Sequence, residues 1–351
     1  MRDTEWTDAQ IRAGGILTIE ITSWLGENLL GVIPVVAGSW KVTDTYGVTV
    51  PGTVEFSVPA LDQWRPVAPD HPLAAVGQRF RVRVGYGDQL VTWGWYRAAR
   101  PVREGAVIRC TGIGLLRDVE RARFTRPLQS KTGQTWRAVL ADLLRGILPV
   151  DFDAAPADAV QPVTTWEEDR LAAVWEIIES RPARLVIDDS ATAVVLPPWN
   201  DTAPGPAVAQ LVDGAGGTLV ELDPDGDTDE DPPNGYVVST VPDGDVEPIT
   251  EVWTMPDGPM KWGGPYGYNP AFFASPLNPS DRVKLRAIAE RMTRRAVQQT
   301  LRFGVVSLPD PRLEVGDVVH VRSARYGVDG LARITNLALT RTATTTNVAL
   351  L

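Results

Sequence analysis

Near its C-terminal end the chain spells out a β-hairpin. Asp317-Val318-Val319-His320-Val321-Arg322 alternates as a strand, Tyr326-Gly327-Val328-Asp329-Gly330 carries turn chemistry, and Leu331-Ala332-Arg333-Ile334-Thr335-Asn336-Leu337 returns. Valine, isoleucine and threonine fit a pleated, half-buried surface, and glycine permits the tight reversal. An amphipathic helical pattern precedes the hairpin, and no catalytic motif lies on it. This ending points to a β-barrel-like body used for assembly rather than chemistry.

At 351 residues the chain exceeds one ordinary core, so two or three domains are expected. Hydrophobic residues at 44% and charged residues at 22% exclude wholesale disorder. The 31 glycines and 29 prolines between short apolar runs favour a loop-rich, mainly β architecture. Net charge is −10, which argues against a surface built to neutralise phosphates. Cys110 is the only cysteine, so no internal disulfide exists, and its strand-like setting reads as a buried structural thiol. No run approaches the ~18 apolar residues of a membrane helix, and no secretory signal opens the chain, so no stable membrane insertion is expected.

Three regions follow from changes of period. Strand-length runs at 16–21, 39–42, 52–58, 78–86, 90–97 and 106–111 make 1–118 an N-terminal β-barrel-like domain. Residues 119–198 read as a small α/β domain. There Trp136, Val139, Leu140, Leu143, Leu144 and Ile147 are at helical spacing within 134–148, and Thr165-Trp166-Glu167-Glu168 resembles a capping box opening a second helix through Ser180. Two β-like runs, 183–188 and 192–196, complete it. Residues 199–351 read as a second β-barrel-like domain, with strand-like runs at 210–212, 218–222, 236–241 and 249–254, an ordered loop at 257–279 and a helix at 281–301 capped by Ser280. The expected class is α+β, mainly β.

No constellation carries chemistry. His71 precedes Pro72 in a loop and His320 sits in an alternating strand, without local partners for a triad or a metal cluster. Phosphate-loop, metalloprotease and nucleophile-elbow patterns are absent from the sequence. The acidic run 223–231 alternates aspartates, but the glycine and the final bidentate carboxylate of a calcium loop do not fall in place together. Dispersed Asp/Glu pairs and the 12 tryptophans leave a carbohydrate-active reading open. Arg282, Lys284, Arg286, Arg291, Arg294, Arg295 and Arg302 occupy several angular positions, which fits a solvated or subunit-contacting helix better than a phosphate-facing stripe. No residue is assigned a catalytic, cofactor-binding or metal-ligating role, and no cofactor is expected.

The order of elements resembles the tail-hub proteins of long-tailed phages and related injection machines, also called baseplate hub or tail-tip minor tail proteins. Leu73-Ala74-Ala75-Val76-Gly77-Gln78-Arg79-Phe80-Arg81-Val82 is similar to the family's approach to an early barrel strand, and Trp93-Gly94-Trp95-Tyr96-Arg97 to the strand that follows. Asn234-Gly235-Tyr236-Val237-Val238 resembles the hub strand before an ordered loop. Gly263-Gly264-Pro265-Tyr266-Gly267-Tyr268-Asn269-Pro270 and Ala274-Ser275-Pro276 have that loop's texture, and Glu314-Val315-Gly316-Asp317-Val318-Val319 the strand after the helix. The unusually acidic 223–231 run departs from the pattern.

The resemblance implies a non-enzymatic virion protein at the tail tip, made in the host cytoplasm. It implies a homotrimer whose two barrel-like domains per chain form a six-part ring, joining the sixfold tail tube or distal tail protein to the threefold tip. Tape-measure protein and DNA would pass through its channel without specific binding, and tip or fibre proteins would attach beyond it. Three copies at −10 each carry −30, an acidic wall that would repel passing DNA. The last strand ends the chain at Leu351, so wall hydrolysis and receptor binding are expected on other polypeptides. The alternatives are a carbohydrate-active tail protein and a calcium-stabilised receptor-binding protein.

Overall fold

In the computed structural model of the protein, residues 6–13, 15–181, 183–199, 204–223, 231–240, 248–275, 282–298 and 302–351 are described. The N-terminal region has a short helix, α1 (Asp8–Arg12), then β1 (Leu17–Leu25), β2 (Asn28–Ile33), β3 (Lys41–Thr45), β4 (Thr53–Pro59), β5 (Arg79–Tyr86), β6 (Gln89–Ala98), β7 (Val102–Glu104) and β8 (Val107–Gly114). The middle region has α2 (Leu116–Arg121), β9 (Leu128–Gln129), α3 (Trp136–Leu144), β10 (Val150–Asp151), β11 (Thr165–Trp166), α4 (Arg170–Ser180), β12 (Arg184–Ile187) and β13 (Ala193–Leu196). The last region has β14 (Ala209–Val212), β15 (Leu219–Asp223), β16 (Gly235–Thr240), β17 (Thr250–Thr254), β18 (Pro270–Ser275), α5 (Arg282–Gln298), β19 (Arg302–Ser307), β20 (Val318–Ser323), β21 (Val328–Thr340) and β22 (Thr344–Leu350). The chain is α+β and mainly β.

Two separate closed barrels do not form among the described residues. The main pairing runs as one open path, β15-β19-β22-β21-β3-β4-β8-β6-β5-β1-β2, with β7 on β8 and β14 and β20 branching beside β21. The cause is a seam: β3 pairs antiparallel with β21, from Lys41 opposite Thr340 to Thr45 opposite Asn336. Those two edges satisfy each other's backbone groups across nearly the whole length of the chain. One continuous core accordingly draws on both ends, with Val42, Val54, Phe56 and Phe80 in the same cluster as Val305, Ile334, Leu337 and Val348. The expected C-terminal hairpin forms, with Val318 opposite Arg333 and Ser323 opposite Val328, so that Val328, Asp329 and Gly330, expected in the turn, already belong to the returning strand.

The middle region has a separate core around Trp136, Leu140, Leu143, Val174 and Ile177. Thr135 caps α3 by accepting from Ala138 N, and β10, β13 and β12 form its small sheet. The expected capping box at Thr165 is not a helix start. Thr165 and Trp166 pair instead with Gln129 and Leu128, Trp166 is buried, and the carboxylate of Asp169 caps α4 by accepting from Ala172 N at 2.9 Å. A carboxylate beside the buried tryptophan does the capping, which shifts the helix start to Arg170.

The third core is a sheet of β17, β16 and β18 covered on one face by α5, with Val238, Leu285, Ile288 and Ala289 buried between them. The expected loop 257–279, described as far as Ser275, contains a strand, because β18 pairs in parallel with β16 from Gly235 opposite Pro270 onward. Proline is tolerated there as the first residue of the strand. The expected cap Ser280 and residues 224–230 of the acidic run lie outside the described residues.

Candidate functional site

The chain's most elaborate side-chain chemistry lies where its bodies meet, and it consists of fasteners. The Trp95 indole N–H donates to the Asp189 carbonyl at 3.0 Å, and that of Trp175 to the Thr49 carbonyl at 3.0 Å. Both bonds tie the middle region to the N-terminal strands. Asp118, at the start of α2 and nearly buried, receives Arg79 Nη2 at 2.7 Å and also Arg97. One carboxylate thus bridges guanidinium groups from β5 and β6, the geometry in which charge-assisted bonds are strongest.

Trp199 is the common anchor of the three regions. Its ring lies 4.3 Å from that of Tyr46, with the guanidinium carbons of Arg184 and Arg333 at 5.4 and 4.9 Å. Gly316 adopts φ +96°, and a Cβ there would stand 2.3 Å from the Trp199 ring, so only glycine admits this approach. Burial holds the Arg184 guanidinium below its ordinary pKa.

In the segment between β19 and β20, Arg312 is buried and paired with Asp310 at 2.8 Å and with Asp8 of α1 at 2.9 Å. Hydrogen bonding to Asp310 raises its pKa further. The Tyr86 hydroxyl donates to the Pro309 carbonyl, and burial pushes that phenol up. These contacts fix the N-terminal segment to the C-terminal strands.

Between the bodies lies a cavity of about 1030 Å³, lined among others by Trp93, Trp95, Trp175, Trp199, Glu120 and Glu176. Burial pushes the Glu176 carboxyl up. Aromatic rings and carboxylates thus line one sizeable space. Three of its tryptophans are the fasteners just described.

The residues singled out from the sequence are dispersed. His71 Nε2 contacts the Gln63 carbonyl at 3.0 Å and its Nδ1 accepts from Leu73 N, inside one loop. His320 pairs with Asp329 at 2.7 Å across the hairpin. Cys110 is 1% exposed with its thiol pushed up to about 12 by burial, a structural residue. No group of three or more His, Cys, Asp or Glu that could hold a metal ion occurs among the described residues. The late basic residues are largely spent on protein: Arg291 donates to the carbonyls of Glu179 (2.5 Å) and Arg181 (3.1 Å) at the end of α4, Arg294 pairs with Glu290 at 2.9 Å and lies 4.8 Å over Trp253, and Arg282 approaches Glu251 at 3.6 Å. Arg302 belongs to β19, beyond the helix. Trp199, Arg184 and Asp118 were not singled out from the sequence. The one available signal was a tryptophan placed after Pro197-Pro198 in a linker.

No protein-family model matches the sequence, and no curated protein matches it. Solved structures do match in fold. A tail protein from Neisseria meningitidis is 14% identical with a TM-score of 0.67, the alignment covering 94% of this chain and 96% of that one. A 43 kDa tail protein of prophage MuSo2 from Shewanella oneidensis is 12% identical with a TM-score of 0.63, covering 95% and 98%. An Escherichia coli component of the type VI secretion system, described as structurally similar to T4 bacteriophage tail proteins, is 8% identical with a TM-score of 0.50, covering 95% and 74%. At such identities the likeness is one of fold, and over nearly its whole length this chain has the fold of phage tail proteins.

Proposed function

We propose that the chain is a structural hub protein of a phage tail tip, a member of the tail-hub family, and not an enzyme. The observation that carries this reading is end-to-end likeness in fold to a Neisseria tail protein and a prophage tail protein, with 94% and 95% of the chain covered.

In this reading units 1–118 and 199–351 supply two ring-forming bodies and unit 119–198 packs beside them. Three chains make a six-part ring that joins the tail tube or distal tail protein to the threefold tip. The seam between β3 and β21 supports it, because it already joins the two bodies edge to edge within one chain. Closed rotational symmetry then satisfies the remaining contacts. The ring surrounds the channel for DNA and tape-measure protein, and tip or fibre proteins attach to it in the virion. With a net charge of −10 per chain, DNA passes without being held. No described helix is long and apolar enough to cross a membrane.

The test is electron microscopy of the purified full chain. The reading expects threefold rings with a central opening, and particles of one chain at all concentrations would count against it.

A second reading, a carbohydrate-active tail protein, draws on the tryptophan- and glutamate-lined cavity. Turnover of cell-wall polysaccharide by the purified chain, lost in Glu176→Gln and Glu120→Gln variants, would establish it. The engagement of Trp95, Trp175 and Trp199 in fastening the bodies weighs against it.

A further inference from the structure

The sheet of β17, β16 and β18 has a second face, opposite α5. Alternate residues of a strand point to opposite faces, and Val238 is buried against α5. Val237 therefore belongs to the other face, in register with Val252 on one side and Phe272 on the other. Phe272 is 77% exposed and Val252 47%. Two residues before Val237, Gly235 lets the Trp262 ring lie on the sheet, since a Cβ there would stand 2.7 Å from it. Tyr268, 72% exposed, meets Trp262 edge-on at 5.2 Å. The strand positions that complete this face, Ser239, Thr250, Thr254, Pro270 and Ala274, carry no charge. A continuous face without a single charged side chain among these residues is unusual in a chain whose residues are 22% charged.

We infer that this face, centred on Phe272, is a contact between neighbouring copies of the chain; the inference rests on the ring reading above. Charge selects the occupant. Each copy carries −10, so two copies repel wherever their charged surfaces meet and approach most cheaply at neutral ground. A phosphate backbone finds no cation here, and a basic partner finds no carboxylate.

Size points the same way. Three strands about 4.8 Å apart and five residues long at about 3.4 Å each present roughly 240 Å². A stable interface needs about 800 Å² per partner. The face cannot hold a partner by itself, so it suits one already held elsewhere, as a ring neighbour is. Packing the face on its own copy would stop at a twofold pair. In a threefold ring the Phe272 row therefore meets a different patch of the next copy. An exposed aromatic at the centre of such a patch is the kind of residue on which association energy concentrates.

The experiment is sedimentation velocity on the full chain over a wide concentration range, comparing the wild type with Phe272→Asp, Phe272→Ala and Val252→Asp. Val67→Asp serves as control, because Val67 is 80% exposed and lies in a loop outside this face. The expected result is a wild-type trimer, an unchanged Val67→Asp, and at least tenfold weaker association in the Phe272 and Val252 variants at unchanged circular dichroism. Should Phe272→Asp fail to fold, Phe272→Ala and Val252→Asp read the same equilibrium. Trimers of unaltered strength in the variants would overturn the inference while leaving the ring reading intact. A wild type that stays monomeric throughout would overturn both.

Discussion

Asn336 Nδ2 donates a 2.7 Å hydrogen bond to Thr45 Oγ1 across the seam that merges two β bodies into one sheet. The two residues are also register partners, so backbone and side-chain pairing coincide there. Beside them the hydroxyls of Thr43 and Thr53 bond to one another. One polar pair thus binds the seam on the face that the apolar core does not cover, and Thr43 and Thr53 on the same face join β3 to its other neighbour, β4. Replacing Asn336 by Ala is expected to cost about 1 kcal/mol, and a double-mutant cycle with Thr45→Ala should return a coupling of about 0.5 kcal/mol or more. Urea titrations measure both, and strictly additive losses would show that the bond does not hold the seam.

Asp118 accepts from both Arg79 and Arg97, and its side chain is 7% exposed. Asp118→Ala leaves two guanidinium groups facing each other without their anion. A loss of about 3 kcal/mol is expected, since removing one partner of a buried pair costs far more than the pair itself contributes. Chemical denaturation measures it. A loss below about 1 kcal/mol would mean that water already shares these charges.

Gly316 faces the ring of Trp199 in a left-handed conformation. Gly316→Ala adds both backbone strain and a collision with the ring, so a loss of about 2 kcal/mol or more is expected. Near-ultraviolet circular dichroism should change with it, as Trp199 leaves Tyr46. An unchanged aromatic spectrum would show that the three regions are not anchored through this ring.

Burial raises the pKa of Glu176 in the folded chain. The folded state therefore favours its neutral form. The corresponding stability is present below the unfolded value of about 4.3 and is lost as pH rises through the higher folded value. Glu176→Gln should be close to wild type in stability at pH 4 and more stable at pH 7, and denaturant midpoints at the two values measure the gap. A gap that narrows with rising pH would contradict this sign.

Legibility in the sequence tracked how local each cause is. The β20–β21 hairpin, α3 and α5 could be read because each is specified by alternation or helical spacing among near neighbours. β2 was hidden by Gly31, and β18 by the proline and aromatics around Pro270, all of which look like loop. The start of α4 was misplaced because Thr165 and Glu168 have capping-box spacing, while the burial of Trp166 cannot be seen from spacing. Pairing of Thr45 with Asn336 joins positions at opposite ends of the chain, so the merged sheet was not foreseeable as two barrels were. Arg291 at the end of α4 and Trp199 between Arg184 and Arg333 are likewise long-range meetings without period.

The central claim is that this chain builds a threefold ring, and the mass of the full-length protein in solution, by light scattering on the eluting peak, tests it most directly. The account predicts a particle of three times the 38.2 kDa chain mass. A particle of one or two chain masses that persists at high concentration would contradict it.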